Sequence, residues 1–173
     1  DAEWARRSRF YCWDDRREAV QFGINSRLDE LQAWVLLGKL PHLEQRIRQR
    51  RQVAAWYAEL LGDRASLPRD GSDWLHSFHL YVVEVEPWLR DPLLAAGRQA
   101  GLPLAVHYPL PCHRHPHVIQ RFGTAAGLPR TEELVARILS LPLHPYLPRD
   151  AVERVCEGVL PLLEGAFQAG GTG

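Results

Sequence analysis

From Ser26 to Gly62 apolar residues recur at helical spacing: Leu28, Leu31, Val35, Leu36, Leu40 and Leu43 lie on one stripe, and Ala54, Ala55, Tyr57 and Leu61 continue it. A run of this length makes a long helix the organising element of the chain. Ser26 followed by Asp29 resembles a capping box at its start, and Gly62 suits its end. Pro41 has no amide to continue the hydrogen-bond ladder, so the helix is expected to kink or restart near residue 41.

The pattern changes downstream. Phe78 to Glu86 is a β-rich run with apolar residues on both faces, which predicts a strand inside a layer. Asp91 to Gly101 reads as a helix closed by Gly101 and Pro103, and Leu104 to Tyr108 as a second strand. The proline-stiffened PLPCHRHPH reads as a loop. Thr131 is expected to cap a helix through Ile138, LSLPLHP to be extended, and Asp150 to Phe167 to form a closing amphipathic helix. Interleaved strands and helices predict an α/β fold with a small mixed or antiparallel sheet packed by helices. The expected divisions are a connector over 1–25, the long helix over 26–62, a compact α/β unit over 63–168 and a frayed tail over 169–173.

Composition narrows the functional classes. With 21 basic and 21 acidic residues among 173, the chain lacks the positive field of a nucleic-acid binder. No apolar stretch approaches the ~20 residues of a membrane span, and the first segment has no secretory apolar core. Cys12, Cys112 and Cys156 are scattered and odd in number, which suits a reducing cytoplasm. The chain has no methionine and begins with Asp1, so it is expected to be a piece of a longer product. Its only lysine is Lys39.

Chemistry concentrates in two places. Gly23, Asn25 and Arg27 sit at the mouth of the long helix, where unpaired amides, a side-chain amide and a guanidinium favour an anion such as phosphate. A turn, a Ser26 cap and a surface ion pair of Arg27 account for the same residues. In the second place, His107, Cys112, His113, His115 and His117 crowd one loop without zinc-ligand spacing, so no metal is expected. The arginine-rich run from Arg46 to Arg51 reads as a solvated helix face, with Glu44 and Arg48 at i,i+4. Trp34 and Trp56 are expected to pack against the sheet or a partner chain.

Four ordered motifs extend these readings. The run YCWDDRREAVQFGINSRLDELQAWVLLGKLPHLEQRIRQRRQVAAWYAELL, the strand HSFHLYVVEVE, the loop LAVHYPLPCHRHP and the segment ILSLPLHPYLP together resemble the DegT/DnrJ/EryC1/StrS family of pyridoxal-phosphate-dependent sugar aminotransferases. Cys12 departs from the glycine of the family's Y-G-W triplet.

The resemblance implies an aspartate-aminotransferase-like fold (fold type I), of which residues 1–25 end the large cofactor domain and 63–168 form the small C-terminal domain. It implies a homodimer with shared active sites, amino transfer from glutamate to a nucleotide-linked keto sugar, and a role in antibiotic or surface-polysaccharide biosynthesis. Asn25, with Arg27, would hold the phosphate of the neighbouring subunit's cofactor. His107, Tyr108 and His113 would line the sugar-nucleotide side. The lysine that bonds the cofactor lies in the family before the asparagine motif. Lys39 does not match it, so this chain has no catalytic residue and is expected to be inactive alone. A sugar dehydratase of the same fold and a truncated dimerisation or regulatory protein are the alternatives.

Overall fold

The computed structural model describes residues 28–124 and 127–170, the last five by their backbone alone. The connector, Asn25, Ser26, Arg27 and the last three residues lie outside the described residues. The described residues fall into two compact units, 28–34 with 108–135 excepting 125–126, and 35–107 with 136–170.

Helix α1, Glu30–Lys39, is capped by Asp29, whose Oδ1 accepts a hydrogen bond from the Gln32 amide at 2.7 Å. Leu40–His42 form a 3₁₀ turn with Pro41 in its first positions, where a missing amide costs no helical bond. The ladder resumes as α2, Leu43–Leu61, and stops at Gly62, whose φ of 54° is left-handed. Trp34 is 73% exposed, whereas Trp56 packs against the core.

In the larger unit, β1 (Tyr81–Glu84) and β2 (Ile138–Leu141) pair antiparallel, with Tyr81 opposite Leu141 and Glu84 opposite Ile138. Single-residue bridges extend this sheet on both sides, from Ser66 to Glu84 and from Ala105 to Ser140. All four β2 residues are buried, while β1 alternates. The strand buried on both faces is thus β2, not the 78–86 run. Helix α3, Pro87–Gln99, starts on Pro87, and α6, Arg149–Gly170, packs against α2 and α3. Val53, Tyr57, Leu61, Tyr81, Leu93, Leu139 and Val152 form the centre of the core.

The smaller unit holds a 3₁₀ turn at Cys112–Arg114, helix α4 (Pro116–Phe122) and most of α5 (Pro129–Arg137). Helix α4 takes over the last two residues of the loop expected over 109–117, because Pro116 sits at the helix start, where proline is favoured. Helix α5 begins at Pro129, so Thr131 lies within it and does not cap it.

The arginine run is only partly solvated. Arg48 pairs with Glu44 in water, but Arg50 donates to the carbonyls of Phe78 and His79, both at 3.1 Å. Arg51 donates to both Asp70 oxygens at 2.8 and 2.6 Å and to the His76 carbonyl at 2.9 Å. These bonds hold residues 70–79 on α2 and keep Phe78 at a φ of 49°, a left-handed conformation that a bulky residue rarely adopts. Hydrogen bonds from Arg51 first, and from the His76 amide next, hold the Asp70 carboxyl well below the usual carboxylate range.

Two stacked core tyrosines, with ring centroids 4.9 Å apart, differ in their hydroxyls. Tyr57 donates to the Pro142 carbonyl at 2.8 Å; the Tyr81 hydroxyl is buried and has no hydrogen-bond partner among the described residues. Burial, then the neighbouring Cys156, pushes the Tyr81 phenol up to about 12. Tyr57→Phe is therefore expected to cost about 1–3 kcal/mol in urea unfolding, whereas Tyr81→Phe removes an unpaired polar atom and should be neutral or stabilising. Asp70, with its folded pKa lowered, contributes stability above the unfolded carboxylate value of about 3.9 and loses it as pH falls through the folded value. Asp70→Asn should lower Tm at neutral pH, and the gap from the unsubstituted chain should close in melts run at increasingly acid pH.

Candidate functional site

Residues 97–107 show how the chain presents His107. Gly101, at a φ of 68°, turns the chain out of α3, and the Leu102 amide returns to the Gly97 carbonyl at 2.7 Å. Leu104 fills the notch at Gly97, where an added Cβ would lie 2.6 Å from its Cδ1; Leu102 fills the notch at Gly158, with 2.5 Å to its Cδ1. The anchored chain brings Ala105 against Ser140, with hydrogen bonds of 3.1 and 2.7 Å between their backbones. The expected strand over 104–108 reduces to this bridge. Two residues on, His107 Nδ1 and Ser140 Oγ share a hydrogen bond of 2.9 Å. Ser140 is 4% exposed, so its hydroxyl is a buried polar group that the half-buried His107 satisfies.

In the smaller unit Tyr108 is 55% exposed. The turn that follows Pro111 is closed by the Arg114 amide on the Pro111 carbonyl at 2.9 Å. His113 Nε2 lies 3.0 Å from Glu132 Oε1, and Arg114 Nη2 donates to the same oxygen at 2.6 Å. Hydrogen bonds from His113 and then Arg114 hold the Glu132 carboxyl below its ordinary range. His113 is therefore committed at one ring nitrogen to tying the 111–115 turn to α5. His115 is buried, and its carbonyl accepts from the amides of Val118 and Ile119, which opens α4. Among the described residues no three His, Cys, Asp or Glu side chains converge as metal ligands.

Sequence reasoning singled out His107 and His113 but neither partner. Ser140 carried a signal, as the one polar residue in the apolar run ILSL. Glu132 carried none beyond its place in the first turn of a helix. Asn25 and Arg27, assigned to the cofactor phosphate, lie outside the described residues.

Lys39 is exposed in the last turn of α1 and lines a hollow containing no carboxylate. No carboxylate is there to pair with a protonated pyridine nitrogen. The described residues thus do not fit the bonding end of pyridoxal phosphate.

The sequence profile of the DegT/DnrJ/EryC1/StrS aminotransferase family matches residues 5–160, and the chain belongs to that family. It is 39% identical over 142 residues to a pleiotropic regulatory protein of Geobacillus stearothermophilus, covering 79% of this chain and 37% of the relative. It is 34% identical over 163 residues to the dTDP-3-amino-3,6-dideoxy-alpha-D-galactopyranose transaminase of Aneurinibacillus thermoaerophilus, covering 92% and 44%. The crystal structure of DesV from S. venezuelae, in complex with a ketimine intermediate, matches with a TM-score of 0.73 at 34% identity over 94% of this chain and 44% of that one. The chain spans about two fifths of the length of the curated relatives it matches. The expected fold class, the small α/β domain of the fold type I aminotransferases, is the one observed.

Glu132→Gln is expected to release the 111–115 turn, read as severalfold faster hydrogen exchange at the Arg114 and His115 amides. The lowered Glu132 pKa means that this tie is present above the unfolded carboxylate value and is lost as pH falls through the folded one. The unsubstituted chain should therefore approach the variant's exchange behaviour in acid.

Proposed function

We propose that this chain is the C-terminal part of a pyridoxal-phosphate-dependent enzyme that transfers an amino group from glutamate to a keto sugar carried on a nucleotide. The observation that carries this reading is the family match, which runs almost from end to end of the chain. A relative named as a dTDP-sugar transaminase, at 36% identity over 170 residues, supports it. The enzyme is a cytoplasmic homodimer with shared active sites; no helix among the described residues is long and apolar enough to cross a membrane.

In this reading residues 1–25 end the cofactor domain, 26–62 connect, 63–168 form the small domain and 169–173 are a tail. When bound, the cofactor supplies an electron sink for amino transfer. This chain supplies position. Asn25 and Arg27 donate to the phosphate of the neighbour's cofactor. His107, fixed in orientation by Ser140, forms part of the sugar-nucleotide wall with Tyr108 and His113. Prolines at 109 and 111 restrict the backbone between those groups, which lowers the ordering cost of binding.

The test compares the 173-residue chain with the longer product of its reading frame, given glutamate and a panel of nucleotide-linked keto sugars. Only the longer product should form amino sugar. Within it, Asn25→Ala should raise the cofactor concentration for half-saturation by about tenfold or more, a loss in the range of a charge-assisted hydrogen bond. Elimination of water without nitrogen uptake by the longer product, or turnover by the 173-residue chain alone, would overturn the proposal.

A further inference from the structure

The end of α1 and the first turns of α2 border a hollow of about 550 Å³, closed from the other side by residues 77–79 and 145–146. A smaller hollow of about 200 Å³ adjoins it and shares Arg46 and Tyr146. Neither lining contains an aspartate or glutamate. Lys39, Arg46 and Arg50 all face the larger hollow, at helical spacing along the chain. Arg50 is spent on backbone carbonyls, but Lys39 and Arg46 have no hydrogen bond or ion pair among the described residues. Two cations without counter-charge thus converge on one concavity. The strained Phe78 places its neighbours Ser77 and His79 on the opposite wall, and strain of this kind persists where the surroundings enforce it, often at binding sites.

We propose that this groove binds a small organic molecule bearing a phosphate group. The dianionic phosphate matches the paired charges of Lys39 and Arg46, and its oxygens match the guanidinium fork. Leu43, Ile47 and the exposed ring of Tyr146 offer an apolar floor and flank for the organic body. A volume within the usual ~300–1,000 Å³ of small-molecule sites has room for more than a bare ion. The inference does not rest on the aminotransferase reading.

Phenyl phosphate titrated into the 173-residue chain by calorimetry at low salt tests it, with benzoate and inorganic phosphate as parallel probes. Saturable binding of phenyl phosphate is expected, at least tenfold tighter than either parallel probe. Arg46→Gln and Lys39→Gln should each weaken it several-fold, and Tyr146→Ala should weaken phenyl phosphate while leaving inorganic phosphate unchanged. Circular dichroism checks that each variant is folded, and the wall variant at Tyr146 keeps the test intact if one helix variant is not. No saturable binding, equal affinity for benzoate, or undiminished binding in folded Arg46→Gln would overturn the proposal.

Discussion

One buried serine joins the sheet to the segment that carries the candidate site. Ser140 lies in a strand whose four residues are all buried, and its backbone accepts Ala105 as an extra sheet edge. Its hydroxyl would be costly to bury unpaired, and the His107 ring pairs it. The same few atoms thus complete the sheet and set the direction of an imidazole. The registration depends in turn on Leu102 and Leu104 being seated on α6 and α3.

A second constraint acts through charge. Arg50 and Arg51 lie next to each other on α2 but reach a segment more than 20 residues away. By taking carbonyls from Phe78, His79 and His76, they replace partners that a sheet would otherwise supply. A chain whose only lysine is Lys39 makes nearly all such contacts with guanidinium groups, whose planar forks can bond several acceptors at once.

What could be read from the sequence was local. The stop at Pro41 follows from a missing amide, and the turns at Gly62 and Gly101 follow from the freedom of glycine. The α/β class followed from alternating patterns. The loop expected over 109–117 gives way to α4 at Pro116, which opens that helix, and the cap expected at Thr131 falls inside α5 because Pro129 opens it. The arginine run looked solvated because its acceptors are distant in sequence, and the 104–108 strand shrank to Ala105 because the chain leaves the sheet once His107 has found Ser140. Of the candidate site, His107 and His113 were legible as chemistry-bearing residues and Ser140 stood out only as a polar residue in an apolar run, but the pairing of Ser140 and Glu132 with those histidines becomes visible only in three dimensions.

The two glycine notches tie together positions that no local pattern relates. Gly97 can gain a methyl group only if the Leu104 side chain shifts or shrinks, and at Gly158 the tip of Leu102 would have to turn aside. Among descendants of this sequence, helix and linker should therefore drift as matched pairs, small against large, so that a change tolerated in one lineage would be harmful when transplanted singly into another.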